Sequence, residues 1–187
     1  LGAGDLELLG IPRRYWARSL SELSEDCEHR DQVLEYAERL EENLRNGRGL
    51  LLYGLPGKGK TSVAAAILKK AWAHGAHGRF VSAFDLDEKA LTAKRYWDDD
   101  AVTMLDKVMD VHLLVLDDVR LTLETAGVRL LARIIRHRTD ALRATIVTTN
   151  LNEKGLRGLL GEADYEVLRT TSIPILVEGP NWRADES

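Results

Sequence analysis

One octapeptide, Gly54-Leu55-Pro56-Gly57-Lys58-Gly59-Lys60-Thr61, constrains this chain more than anything else in its 187 residues. It fits the pattern GxxxxGK(S/T) through Gly54, Gly59, Lys60 and Thr61. Glycines let a backbone curl until its amides point inward at phosphate oxygens, and a helix starting there adds its positive end. Such a match carries weight only in the right context. Leu50-Leu51-Leu52-Tyr53 precedes it as a short apolar run, the pattern of a buried parallel strand, and the alanine-rich stretch 60–74 follows as a helix. A glycine-rich turn would need only the strand and the helix. The full pattern between them points to phosphate binding. Gly54, Pro56, Gly57, Lys58, Gly59, Lys60, Thr61 and Ser62 are therefore the candidate nucleotide-binding residues. Lys60 is the residue that reaches β- and γ-phosphates, and the Thr61 hydroxyl is a candidate magnesium ligand.

Strand-like and helix-like segments alternate along the rest of the chain. Further strands are expected at 79–82, 113–116, 145–149 and 173–177. Helices are expected at 25–46, from Asp85, near 99–109 and at 124–139. Residues 1–24, with Gly10-Ile11-Pro12, read as an irregular leader to a single core domain over 25–187. Alternation of this kind predicts an α/β fold, a parallel sheet covered on both faces, with ligands at the carboxyl ends of its strands. The glycine loop lies at that edge.

Two more polar clusters fall there. Asp117 and Asp118 close the run Leu113-Leu114-Val115-Leu116. Aspartates ending a strand are common in turns, but a phosphate loop needs a metal partner. Asp117 is the candidate magnesium ligand, and Asp118 the candidate base that positions or deprotonates an attacking water. Thr148-Thr149-Asn150 closes the next strand. Asn150 is a candidate third catalytic residue, set between the acids and a γ-phosphate, against the plainer reading of a turn or helix cap.

The net charge is −4, so nucleic acid would have to meet a local basic patch. Lys94, Arg95, Tyr96 and Trp97, with Lys89 nearby, combine cations with rings, as single-strand binding surfaces do. A helix packing its aromatics inward would show the same residues. Trp16 and Trp182 read as packing residues, and the leader near Tyr15 is expected to border an adenine. The single cysteine, Cys27, has no partner for an internal disulfide, and no apolar run approaches the ~20 residues of a membrane span. A cytoplasmic protein with no membrane partner is the expectation.

With the three polar clusters in this order, the chain resembles the DnaC/DnaI/IstB group of AAA+ ATPases. Gly10-Ile11-Pro12-Arg13-Arg14-Tyr15 resembles the leader of that group, Gly59 to Ile67 its P-loop helix, and Ile134 to Arg138 and Thr148 to Leu151 later segments. The resemblance covers most of 10–183. It implies a P-loop NTPase core with a five-stranded parallel sheet, ATP and Mg2+ as cofactors, and ATP-dependent homo-oligomers. It implies slow, assembly-dependent ATP hydrolysis, with a replicative hexameric DNA helicase and single-stranded DNA as partners. A transposition helper of the IstB type on double-stranded DNA is the rival. A small-molecule kinase is disfavoured, because no acceptor site or basic lid is recognisable. A nucleotide-gated binding module with little hydrolysis stands as the third alternative. There are departures from the group. Val167 stands where an arginine reaching a neighbour's ATP is expected, leaving Arg169 as the candidate and Arg157 as the alternative. A separate N-terminal helicase-binding module is not expected within these residues.

Overall fold

The computed structural model describes residues 1–25, 27–96 and 108–179, without the side chains of 92–96. Five strands form one sheet: β1 (Gly49–Tyr53), β2 (Gly78–Ser82), β3 (Leu113–Val119), β4 (Ala144–Thr149) and β5 (Ser172–Leu176). Their order is β2-β3-β4-β1-β5, and every neighbouring pair runs parallel. Strand residues alternate between two cores, as a pleat of period two requires. Leu50, Leu52, Leu113, Val115 and Ile146 face one cluster, while Leu51, Leu114, Leu116 and Val147 face the other.

The helices divide between these faces. The first face carries α1 (Ala3–Leu9), α2 (Arg30–Glu38), α3 (Leu40–Arg45) and α4 (Lys60–Ala73). The second carries α5 (Ala83–Tyr96), α6 (Thr125–Asp140), α7 (Glu153–Leu160) and α8 (Glu162–Thr171). Arg138 on α6 is fully buried and spends its donors on the carbonyls of Val108, Met109, Val111 and Ala144 and on the Thr145 hydroxyl. It ties the approach to β3 to the start of β4. Among the described residues no helix is long and apolar enough to cross a membrane.

Three expectations are corrected. The leader is not irregular. It opens on α1, and Leu6, Leu9, Ile11 and Leu23 are buried in the first core. Arg79 of β2 donates to the Leu8 carbonyl at 2.6 Å and holds α1 to the sheet edge. The expected helix over 25–46 is two helices. The buried Asn43 amide donates to the Tyr36 carbonyl at 3.1 Å, the group a continuous helix would offer to the Leu40 amide, and the turn breaks at Arg39. Finally, β3 does not end at the acids. It continues to Val119 through a β-bulge, since Leu116 pairs with Val147 but Val119 pairs with Thr149. The expected helix near 99–109 lies mostly outside the described residues.

Candidate functional site

At the carboxyl edge of the sheet the loop after β1 closes on α4. Gly59 occupies the helix N-cap position with φ 92°, a left-handed conformation that side chains resist. Lys60 then begins the helix and is 7% exposed. Its ammonium bends back over the loop and donates to the carbonyls of Gly54 at 2.8 Å and Leu55 at 2.7 Å. The charge is thus held above the concave side of the loop, where phosphate oxygens would compete with those carbonyls. Lys58 points to the rim instead, donating to the Gly179 carbonyl at 2.7 Å.

The bulge in β3 sets the acids. Asp118 takes φ 63°, the left-handed region that Asp tolerates better than most residues. Its amide donates to Thr148 Oγ1 at 2.9 Å, and the same hydroxyl donates to Asp117 Oδ1 at 2.7 Å. Thr148, 1% exposed, therefore fixes both acids through one oxygen. Burial pushes the Asp117 carboxyl above its ordinary value. The Thr148 and Thr61 hydroxyls, then the charges of Arg14 and Lys60, oppose that push. Asp118 is ion-paired with Arg120.

These groups line one cleft of 510 Å³. The lining joins the loop from Pro56 to Ser62 with Asp117, Asp118, Arg120, Thr148 and Asn150 and with Arg14, Tyr15 and Arg18 of the leader. Asn150 stands just past β4 and is exposed. The Arg14 guanidinium lies 4.8 Å from the centroid of the Tyr15 ring. Trp16 turns away and donates its indole N–H to the Ile11 carbonyl at 2.7 Å, a packing role.

The donor set suits magnesium. The Thr61 hydroxyl helps hold Asp117 ionised, so one hydroxyl and one carboxylate face the loop together. Magnesium commonly takes one or two such groups and fills its octahedron with water and phosphate oxygens.

Neither arginine weighed for a neighbour's nucleotide lines this cleft. Arg169 on α8 is exposed and pairs with Glu166 at 2.9 Å. Arg157 on α7 is held by Glu153 at 2.8 Å, by Glu166 at 3.3 Å and by Glu162, and lies 4.4 Å from the Tyr165 ring centroid. The side chains of Lys94, Arg95 and Tyr96, and all of Trp97, lie outside the described residues. Sequence reasoning did not single out Thr148, Arg14, Arg18 or Arg120. Thr148 had a signal, a hydroxyl on a buried strand beside the acid-bearing one. The leader arginines had none beyond their proximity to Tyr15.

A family model described as IstB-like ATP-binding protein matches residues 32–166. The chain is 30% identical over 155 residues to the uncharacterized protein YdaV of Escherichia coli (strain K12), covering 82% of this chain and 62% of that one. It is 28% identical over 136 residues to the replicative helicase loader DnaC of Buchnera aphidicola, covering 72% and 54% respectively. The chain thus spans less than two thirds of the length of these curated relatives. The crystal structure of the DnaC helicase loader superposes with a TM-score of 0.78 at 26% identity, covering 89% of this chain and 100% of that one. The fold is that of an AAA+ P-loop NTPase.

Proposed function

The chain belongs to the family of IstB-like ATP-binding proteins, and from that membership we propose that it is an AAA+ ATPase that loads a replicative DNA helicase onto single-stranded DNA. One observation carries the reading: the phosphate loop, the acid pair and the Thr148–Asn150 strand end converge on one cleft at the carboxyl edge of the sheet. The helicase-loader relatives, one by sequence and one by structure, supply the partner class.

In this reading the amides of the loop and Lys60 hold the triphosphate, and Thr61 and Asp117 hold magnesium. Bound magnesium would draw charge off the β- and γ-phosphates. Asp118 turns from Arg120 and accepts a proton from water. The water oxygen bonds to the γ-phosphorus, the bond to the β,γ-bridging oxygen breaks, and ADP leaves with the electron pair. Asn150 orients that water, and Thr148 keeps both acids in place. Tyr15 borders the adenine. Arg169 serves a neighbouring subunit, so turnover depends on assembly. Lys94, Arg95, Tyr96 and Trp97 are the proposed single-strand contacts, and the cytoplasm is the proposed compartment. A second reading, a transposition helper on double-stranded DNA, draws on the IstB-like family description.

Lys60→Ala should weaken ATP binding by roughly 10- to 150-fold, the loss expected when a hydrogen bond to a charged group, worth about 1.5–3 kcal/mol, is removed. Unchanged affinity by nucleotide titration refutes the site. Wild-type protein should co-purify with the host replicative helicase in ATP. ATP-dependent filaments on duplex DNA without helicase capture would instead favour the transposition reading.

A further inference from the structure

Lys69 lies on α4, nine residues beyond Lys60 and about 13 Å further along the axis at 1.5 Å per residue. Its ammonium donates to the carbonyls of Trp16 at 2.8 Å, Tyr15 at 3.3 Å and Arg18. An ammonium has three donors and no acceptor, so this one lysine matches three carbonyls. The segment leaves a short 3₁₀ turn (Arg13–Tyr15) and enters another (Leu20–Glu22). The Tyr15 carbonyl also accepts the Arg18 amide at 3.2 Å, and Lys69 gathers the carbonyls on either side of that turn onto one ammonium. A hydrogen bond from a charged donor contributes about 1.5–3 kcal/mol. The lysine itself is half-buried. Burial pushes its pKa down, and the charge of Glu22 partly restores it.

The segment so held is the one whose Arg14, Tyr15 and Arg18 line the same cleft as the phosphate loop. Resting on the nucleotide-binding reading above, we infer that Lys69 is a positioning residue for the nucleotide: it fastens the leader to the P-loop helix and so sets the wall that meets the nucleoside. One rigid helix then carries both the lysine for the phosphates and the pin for that wall. The distance between the two subsites is fixed by α4, not by the leader's own stiffness. Lys69 touches no reacting group. Its removal loosens the nucleoside wall and leaves the phosphate end intact.

The test compares ATP, ADP and inorganic tripolyphosphate on wild-type, Lys69→Met and Lys69→Arg proteins, by calorimetric titration. Methionine keeps the apolar stem and removes the donors. Lys69→Met should weaken ATP and ADP by the same factor, about tenfold, and leave tripolyphosphate unchanged; tenfold is 1.4 kcal/mol, about one hydrogen bond from a charged donor. In turnover assays KM should rise while kcat holds. Lys69→Arg, which also offers donors to carbonyls, should recover most of the affinity. A Lys69→Met protein that binds ATP like wild type overturns the inference, and so does one that loses tripolyphosphate in proportion to ATP. If Lys69→Met does not fold, Tyr15→Ala carries the same comparison: selective loss of ATP and ADP relative to tripolyphosphate is expected, and wild-type affinity for ATP and ADP overturns the wall. Wild-type protein that bound no nucleotide would overturn the proposed function and this inference with it. Wild-type binding with an indifferent Lys69→Met overturns only the inference.

Discussion

Asp117 shows how one residue can work against the stability of the fold that carries it. The side chain is 8% exposed, and burial raises its pKa above the ordinary aspartate value. A raised folded-state value means that the folded chain favours the neutral carboxyl. That contribution is complete below the unfolded pKa, about 3.9, and is lost as pH rises through the folded one. At neutral pH the nucleotide-free protein therefore bears the cost of a buried carboxylate, which the Thr148 and Thr61 hydroxyls only partly offset. Asp117→Asn keeps an acceptor for Thr148 and removes the charge. It should raise the Tm of the nucleotide-free protein by a few degrees at pH 7, following a destabilisation of order 1 kcal/mol relieved. The gap should close as pH falls toward 4, and Mg-ATP should narrow or reverse it by stabilising the wild type more than the variant. Melting curves across that pH range, with and without Mg-ATP, decide the matter. An asparagine variant that melts below wild type at pH 7 would show that the carboxylate's hydrogen bonds outweigh its desolvation.

At the scale of elements, the packing of α5 on α6 turns on one close approach. A Cβ on Gly127 would lie 2.0 Å from Asp87 Oδ1 and 2.7 Å from Asp87 Cγ. Asp87 is 6% exposed, and its other oxygen accepts the Glu124 amide at 3.0 Å, at the start of α6. Alanine in a helix interior gains up to about 1 kcal/mol over glycine in propensity. Overpacking against a buried neighbour costs about 1–3 kcal/mol. The clash should win, so Gly127→Ala should lower the guanidinium midpoint, and adding Asp87→Ala should return part of the loss. A double-mutant cycle with no coupling would mean that the helices simply move apart. The same scale explains what was legible. All five strands could be read because each is a short apolar or β-branched run bounded by turn or polar residues, and three of them end in the polar groups that line the cleft. The break at Arg39, the bulge at Asp118 and the Lys69 pin were not legible. Each is set by a partner far along the chain or by a single hydrogen bond, as Asn43 is by the Tyr36 carbonyl, Asp118 by Thr148 and Lys69 by the leader. The leader failed for another reason. A seven-residue helix such as α1 is too short to show a period, and it holds its shape by burying Leu6 and Leu9 against β2.

At the scale of the whole molecule the question is what a second copy adds. The cleft contains Lys60 and three further arginines, yet Arg169 stands away from it on α8 with its guanidinium exposed and paired to Glu166. A cation so placed does nothing for its own nucleotide and is free to exchange Glu166 for a neighbour's phosphate. Arg157 is differently engaged. Three glutamates and the face of Tyr165 hold it, and they lock α7 to α8. Arg169→Ala should therefore bind ATP normally and lose hydrolysis only at concentrations where subunits assemble. The fall should approach the roughly 10³- to 10⁵-fold that an arginine at a neighbour's γ-phosphate supplies elsewhere. Arg157→Ala should instead lower Tm with no such dependence on concentration. The decisive measurement mixes two inactive proteins. Lys60→Ala holds the triphosphate only weakly but retains Arg169, and Arg169→Ala holds it but lacks the guanidinium. Where the two meet in one order, an Arg169→Ala cleft faces an intact Arg169, and hydrolysis should return in proportion to such mixed neighbours. No recovery in the mixture, with Arg169→Ala alone as active as wild type at every concentration, would remove Arg169 from the reaction and point to Arg157 or to no arginine supplied by a neighbour at all.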